Sequence, residues 1–195
     1  MAIGFDTGEK VSEEEQVAEV RLSDEEINEL RYPIASDNNR EIVITSLFGL
    51  RQSPTSNFPH TKQHKGLDLR ASAGTPMFPI GNETKVTATG FDETLGNFVV
   101  METKVKARTF KVQYFHLQSP PPVKVGQSVG FGVRVGYVGS SGSSTAPHVH
   151  MKVQINGALV DPKAVLPLVD SFASDIKLIL KEQTVPGIVY RQIAP

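Results

Sequence analysis

Two histidines one residue apart, in Pro147-His148-Val149-His150-Met151, constrain this chain more than any other stretch. The run from His148 to Ile155 reads as a strand. Side chains alternate across a strand, so His148 and His150 are expected on one face. Two imidazoles on one face can share a metal ion or divide the labour of ligand and acid–base group. Two further stretches carry related chemistry: His64-Lys65-Gly66-Leu67-Asp68 and Tyr114-Phe115-His116-Leu117. Four of the five histidines fall in these three places. Nitrogen and oxygen ligands with imidazoles to spare suit a hydrolytic zinc site that keeps one coordination position open.

No single motif carries that reading. A His-x-x-x-Asp pair alone is usually an ordinary surface pair, and a lone strand histidine such as His116 is usually hydrogen-bonded to its neighbours. His60, in a polar loop, is left aside as solvent-exposed. Gly66 is poor inside a helix, so His64 and Asp68 are expected on a loop running into a strand rather than on one helical face. His64, Asp68 and one of the paired histidines would give a neutral, neutral and anionic donor set. The remaining imidazoles titrate near neutrality and can take a proton or hold a developing oxyanion.

At 195 residues the chain can bury one domain core and carry extensions. Sixteen Gly and thirteen Pro imply many turns and favour a β-rich fold. The absence of Cys excludes disulfides and thiolate-bound zinc. The net charge of −1 hides an asymmetry: residues 1–31 carry ten acids and three bases, and the rest carries eleven acids and seventeen bases. A mildly basic main part suits an anionic polymer such as a cell wall, although a plain solvated surface explains it as well. No basic–aromatic interleaving points to nucleic acid, and no apolar run implies membrane insertion. No signal peptide is visible at the N-terminus.

Along the chain, Ser12–Glu15 and Ser23–Glu26 each fit a capping box and predict two short acidic helices, the second ending before Pro33. This segment reads as an appendage that packs on the domain or meets a partner, with a solvated surface helix favoured. Strands are predicted at Ile42–Thr45, Lys85–Thr89, Asn97–Thr103, Arg108–Phe115 and Val133–Val138, with Val123–Val129 a short strand or turn pair. Tyr114 and His116 should share a face if the fourth of these strands continues. Gly139–Thr145 looks like a mobile loop bordering a cleft; without a following P-loop Lys it is no phosphate cradle. Asn156-Gly157 signals a hairpin, and Asp161-Pro162 a short turn or helix. Ser171–Glu182 could form a helix and Ile188–Tyr190 an edge strand.

The span from Ser46 to Pro162, 117 residues, resembles the lysostaphin-type zinc endopeptidases of bacterial cell-wall turnover. The matching stretches are Ser46–Arg51, His64–Leu69, Ala73–Pro76, Gly96–Val100, Tyr114–Leu117, Val123–Val129, Gly136–Gly142 and Pro147–His150. The resemblance implies a mainly β fold: an antiparallel β-sheet peptidase domain with a narrow groove over residues 33–166. Short, helical extensions would flank it, acidic over 1–32 and C-terminal over 167–195. It implies that His64, Asp68 and His150 bind Zn2+, with His116 and His148 beside the metal's water as general base and transition-state stabiliser. The implied substrate is the peptide cross-link of peptidoglycan, at the cell wall, with glycyl-glycine and D-alanyl bonds both open. The chain departs from the family pattern at Ala146, usually Gly, at Met151-Lys152, often an aromatic and an acid, and at Phe115, commonly Ala or Thr. These departures bear on substrate preference.

Two alternatives stand beside this reading. One is a catalytically inactive cell-wall-binding or scaffold module; such modules commonly lose ligands, and all five positions are filled here. The other is a phage virion protein that carries the lytic domain and docks to a partner through its N- or C-terminal extension. With no export signal visible, either phage delivery or a truncated chain would account for action at the wall.

Overall fold

From Val149 to Ile155, every second side chain is buried. Val149, Met151 and Val153 are wholly removed from water, while His150, Lys152 and Gln154 point the other way. Burying each apolar side chain contributes about 1.5–3 kcal/mol, which fixes which face meets the core. A slip of one residue would drive His150 and Lys152 into that core.

The computed structural model describes residues 16–34, 41–52, 61–166 and 177–180. Helix α1 (Asp24–Asn28) precedes strands β1 (Glu41–Ser46), β2 (Gly49–Gln52), β3 (Thr61–His64), β4 (Leu67–Arg70), β5 (Pro76–Met77) and β6 (Thr84–Asp92). The long strands β7 (Gly96–Val105) and β8 (Arg108–Leu117) follow, then β9 (Ser128–Val129), β10 (Gly136–Tyr137), β11 (Val149–Ile155), β12 (Ala158–Val160) and β13 (Lys177–Leu180). Nine strands form one sheet in the order β13-β1-β4-β11-β8-β7-β6-β9, with β12 paired to β11. All its pairings are antiparallel except β1 with β13. This is the mainly β, antiparallel fold expected. Among the described residues no helix is long and apolar enough to cross a membrane.

Local chemistry accounts for the turns. Asn156 and Gly157 have φ of 50° and 86°, the two positive values that a two-residue hairpin between β11 and β12 requires. Asp161 caps the 3-10 turn Pro162–Val165 by accepting from the Lys163 N–H at 2.9 Å. Asp92 accepts from the N–H groups of Thr94 and Leu95, at 2.8 and 2.9 Å, and shapes the turn between β6 and β7.

The N-terminal segment packs on the domain, one of the two forms expected, and is not the solvated surface helix favoured. The Ser23–Glu26 capping box is present, with both reciprocal bonds. Leu22, Leu30 and Ile34 are nevertheless buried in the main core. Backbone bonds stitch the segment down: Ala18 and Gln16 to Leu159, Arg31 to Ile80, and Pro33 to Phe78. Glu26 is buried and pairs with Arg108 Nε at 3.1 Å. The segment's few apolar side chains cover core that the sheet alone would leave wet. The first capping box, Ser12–Glu15, lies outside the described residues.

Three further expectations change. Residues 177–180, expected within a helix over Ser171–Glu182, form a strand that extends the sheet beside β1. A short run with three apolar residues in four suits either state, and here pairing with an available edge decides it. The strand expected over 133–138 contracts to β10, while 123–129 is a turn leading into β9, in keeping with the short strand or turn pair expected. Residues 61–63, expected at the end of a polar surface loop over 52–63, belong to β3, which pairs with β2 from Thr61. His60 and Ile188–Tyr190 lie outside the described residues.

Candidate active site

Sheet register brings the separated motifs together. Asp68 on β4 lies opposite His150 on β11, and His64 closes β3 with two residues between it and the start of β4. The step from His64 to Asp68 is thus no helical face, as Gly66 implied, but His64 ends a strand instead of lying on a loop. Gly66 is also needed for space: a Cβ there would sit 2.7 Å from both His150 Cε1 and the Met151 carbonyl oxygen. His150 therefore packs directly on bare backbone.

His64 Nε2, Asp68 Oδ1 and His150 Nδ1 form a small triangle. Its edges are 3.2 Å between His64 and Asp68, 2.9 Å between Asp68 and His150, and 3.0 Å between the two rings. These are the residues among those described whose donor atoms could together hold a metal ion. His64 Nδ1 lies 2.7 Å from the Leu47 carbonyl. A carbonyl only accepts, so Nδ1 carries the proton and Nε2 turns a lone pair to the triangle. One proton on His150 Nδ1 can bridge a single edge; a central cation satisfies all three corners. Tetrahedral zinc with bonds of about 2.0–2.1 Å spaces its ligands about 3.3 Å apart. The observed edges fit that geometry with a slight spreading.

His116 and His148 flank the triangle, their ring centroids 4.8 Å apart. His148 and His150 share a face, as alternation predicts, and His148 Nε2 lies 3.9 Å from Asp68 Oδ1. His148 Nδ1 donates to the Ala146 carbonyl at 2.8 Å, and His116 Nδ1 donates to the Ser141 carbonyl at 2.8 Å. Both rings are thereby held with Nε2 as the free nitrogen.

His116 arrives by a route that alternation does not predict. Asn97 pairs with Leu117 but Val99 pairs with Tyr114, so Phe115 and His116 together oppose Phe98. This is a bulge, and His116 takes φ +60°, in the left-handed region a non-glycine residue rarely adopts. Its N–H donates to the Leu95 carbonyl at 2.8 Å. As a result Tyr114 and His116 do not share a face. Tyr114 is fully buried with its hydroxyl donating to the Phe78 carbonyl, and His116 turns toward His148 and His150.

The Gly139–Thr145 loop does border these residues, but it is tied down. Ser141 Oγ donates to the Leu117 carbonyl at 2.6 Å and accepts from the Asn97 N–H at 2.9 Å. The Ser143 N–H donates to the Thr94 carbonyl at 2.9 Å. Ser141, and the carbonyls of Leu47 and Ala146, orient three histidines and were not singled out from sequence. Backbone carbonyls carry no residue signature; the Gly-Ser-Ser-Gly run was the available hint.

The site's charge balance follows from burial. Burial alone would raise the Asp68 carboxyl, but the hydrogen bond from His150 and the closeness of the His64 ring outweigh it and hold the group well below the usual carboxylate range. Burial pushes His150 and His116 down, so both stay neutral to lower pH than an ordinary imidazole. A carboxylate that stays charged beside imidazoles that stay neutral is the protonation state cation binding needs.

Comparison with known proteins agrees with this geometry. Over 138 residues the chain is 33% identical to a Haemophilus influenzae metalloprotease. It is 34% identical over 145 residues to the Vibrio cholerae peptidoglycan DD-endopeptidase ShyA, covering 72% of this chain and 31% of that protein. The catalytic domain of lysostaphin from Staphylococcus simulans superposes with a TM-score of 0.53 at 29% identity, covering 64% of this chain and 91% of that domain. The chain spans about a quarter to a third of the length of the curated relatives it matches. The sequence pattern of Peptidase family M23 matches residues 62–162, a stretch that holds all three corners of the triangle and both flanking histidines, and the chain belongs to that family.

Proposed function

We propose that this chain is a zinc-dependent endopeptidase that hydrolyses amide bonds in the cross-linking peptides of peptidoglycan, at the bacterial cell wall. The observation that carries the proposal is the triangle of His64 Nε2, Asp68 Oδ1 and His150 Nδ1 with two oriented imidazoles beside it. Relatives named as peptidoglycan DD-endopeptidases support the substrate class and favour D-alanyl cross-links over glycyl bridges. The division into extensions over 1–32 and 167–195 around a peptidase domain over 33–166 belongs to the same proposal, with residues 16–34 packed on that domain.

In this reading His64, Asp68 and His150 hold the metal as two neutral donors and one anion, which leaves the ion net positive. Zinc, when bound, supplies Lewis acidity: it polarises a scissile carbonyl and makes water a competent nucleophile near neutral pH. His116, kept neutral by burial, receives the proton of the attacking water at Nε2. Its fixed Nδ1–H to Ser141 steadies the ring and supports the imidazolium that forms. His148 faces the Asp68 carboxylate through Nε2; protonated there, it donates to the developing oxyanion.

The test is digestion of two purified peptidoglycans, one cross-linked directly through D-alanine and one through glycyl bridges, with mass analysis of the released peptides. The proposal expects uncrosslinked peptides from the first, lost in His116→Ala and His148→Ala. Release from neither wall, by protein shown to hold zinc, overturns it.

A further inference from the structure

We propose that Phe98 forms an alkyl-binding subsite beside the metal triangle and makes the enzyme prefer peptides with alkyl side chains over oligoglycine; this rests on the function proposed above.

Three observations place Phe98 at the site. The sheet face that carries His150 continues across β8 and β7 through two ring contacts. Phe115 lies opposite His150 with ring centroids 5.5 Å apart, and Phe98 lies 6.3 Å beyond Phe115. On β7, Val99 and Met101 are buried on the core side, so Phe98 stands on the histidine side. Phe115 is almost wholly covered, whereas Phe98 is only half-buried and offers part of its ring to a ligand.

The ring is seated so that it cannot sink away. Its cross-strand partner is Gly90. A Cβ on Gly90 would lie 2.9 Å from Phe98 Cζ and 3.1 Å from Cε1, so the ring rests directly on the backbone of β6. Phe115 braces its flank. A ring supported on two sides presents a rigid apolar surface and loses little freedom when a ligand covers it.

The distance suits a substrate. An extended peptide advances about 3.4 Å per residue, so a chain crossing the triangle reaches Phe98 within roughly two to four residues. A methyl or methylene group there is withdrawn from water against the ring. Glycine has nothing to bury. Each buried carbon favours the alkyl peptide by about fourfold in kcat/KM.

The test compares an alanyl cross-linked peptide with its glycyl counterpart of equal length, using zinc-loaded protein. Wild type should cut the alanyl peptide at least about fourfold more efficiently. Phe98→Ala should bring that ratio toward one while cleavage of the glycyl peptide changes by less than about twofold; Phe98→Leu should keep most of the preference. Binding of both peptides to His148→Ala protein, with and without Phe98→Ala, reads the same ratio without turnover. An unchanged ratio in folded Phe98→Ala overturns the subsite and leaves the proposed function standing. Cleavage of neither peptide by wild type overturns both. If Phe98→Ala does not fold, a Phe98→Leu ratio that keeps most of the wild-type preference supports the subsite, and a ratio near one overturns it.

Discussion

His116 and Ser141, 25 positions apart, are joined by a hydrogen bond of 2.8 Å from the imidazole Nδ1 to the serine's carbonyl. The serine's own hydroxyl is spent on the Leu117 carbonyl and the Asn97 N–H, so one residue clamps both strands that make the bulge. His116 keeps an unfavourable φ because its surroundings over-determine it.

Ser141→Ala removes two of those bonds and frees the carbonyl to drift. Each bond contributes about 0.5–1.5 kcal/mol, so kcat should fall roughly tenfold with KM and zinc content little changed. Ser141→Thr should restore most of the rate. Steady-state kinetics on a cross-linked peptide check this; a change in KM alone would count against a role in positioning His116.

Gly66→Ala should disable the metal site without touching a ligand. The new Cβ would lie 2.7 Å from His150 Cε1 and the Met151 carbonyl oxygen, so ring or backbone must move. Zinc affinity should drop about 10–100-fold, as when a ligand's support is lost. Competition against a chelator of known affinity measures it, with circular dichroism to show that the sheet persists.

Glu26 should matter more than its surface-helix sequence suggests. It closes the capping box and pairs with Arg108 while buried. Glu26→Ala removes the carboxylate half of the box and the pairing with Arg108 Nε, at a cost of about 1–3 kcal/mol. Urea unfolding gives the value; a loss under about 0.5 kcal/mol would mean that the N-terminal segment is not part of the cooperative fold.

Acid should destabilise the metal-free protein in two stages. The pKa values of His116 and His150 lie below the ordinary 6.5, chiefly through burial, and that of Asp68 lies below 3.8 because the His150 hydrogen bond and the neighbouring imidazoles outweigh burial. For all three the unfolded chain takes up protons first, so stability rises with pH across each window. Their contribution is complete above about pH 7 and is lost as pH falls, first below the ordinary histidine value and then below the ordinary carboxylate value. Thermal melts from about pH 8 down to 3 check the sign: Tm should hold steady and then fall, and a rise between about pH 7 and 5 would contradict it.

Much of the site was legible because its parts obey local rules. Alternation placed His148 with His150, Gly66 argued for a turn before β4, and Asn156-Gly157 marked its hairpin. The bulge at His116 was not legible, since a two-against-one pairing depends on how many residues the neighbouring strand supplies. Leu22, Leu30 and Ile34 are too sparse among acids to announce a buried face; only the uncovered core shows what they cover. Residues 177–180 fit helix or strand equally well until β1 offers an edge.

Zinc stoichiometry tests the central claim most directly. Elemental analysis of the purified protein should find about one zinc per chain in wild type and less than about a tenth in His64→Ala, Asp68→Ala and His150→Ala, each still folded. Wild type that holds no zinc after exposure to it, or variants that hold as much as wild type, would contradict the account.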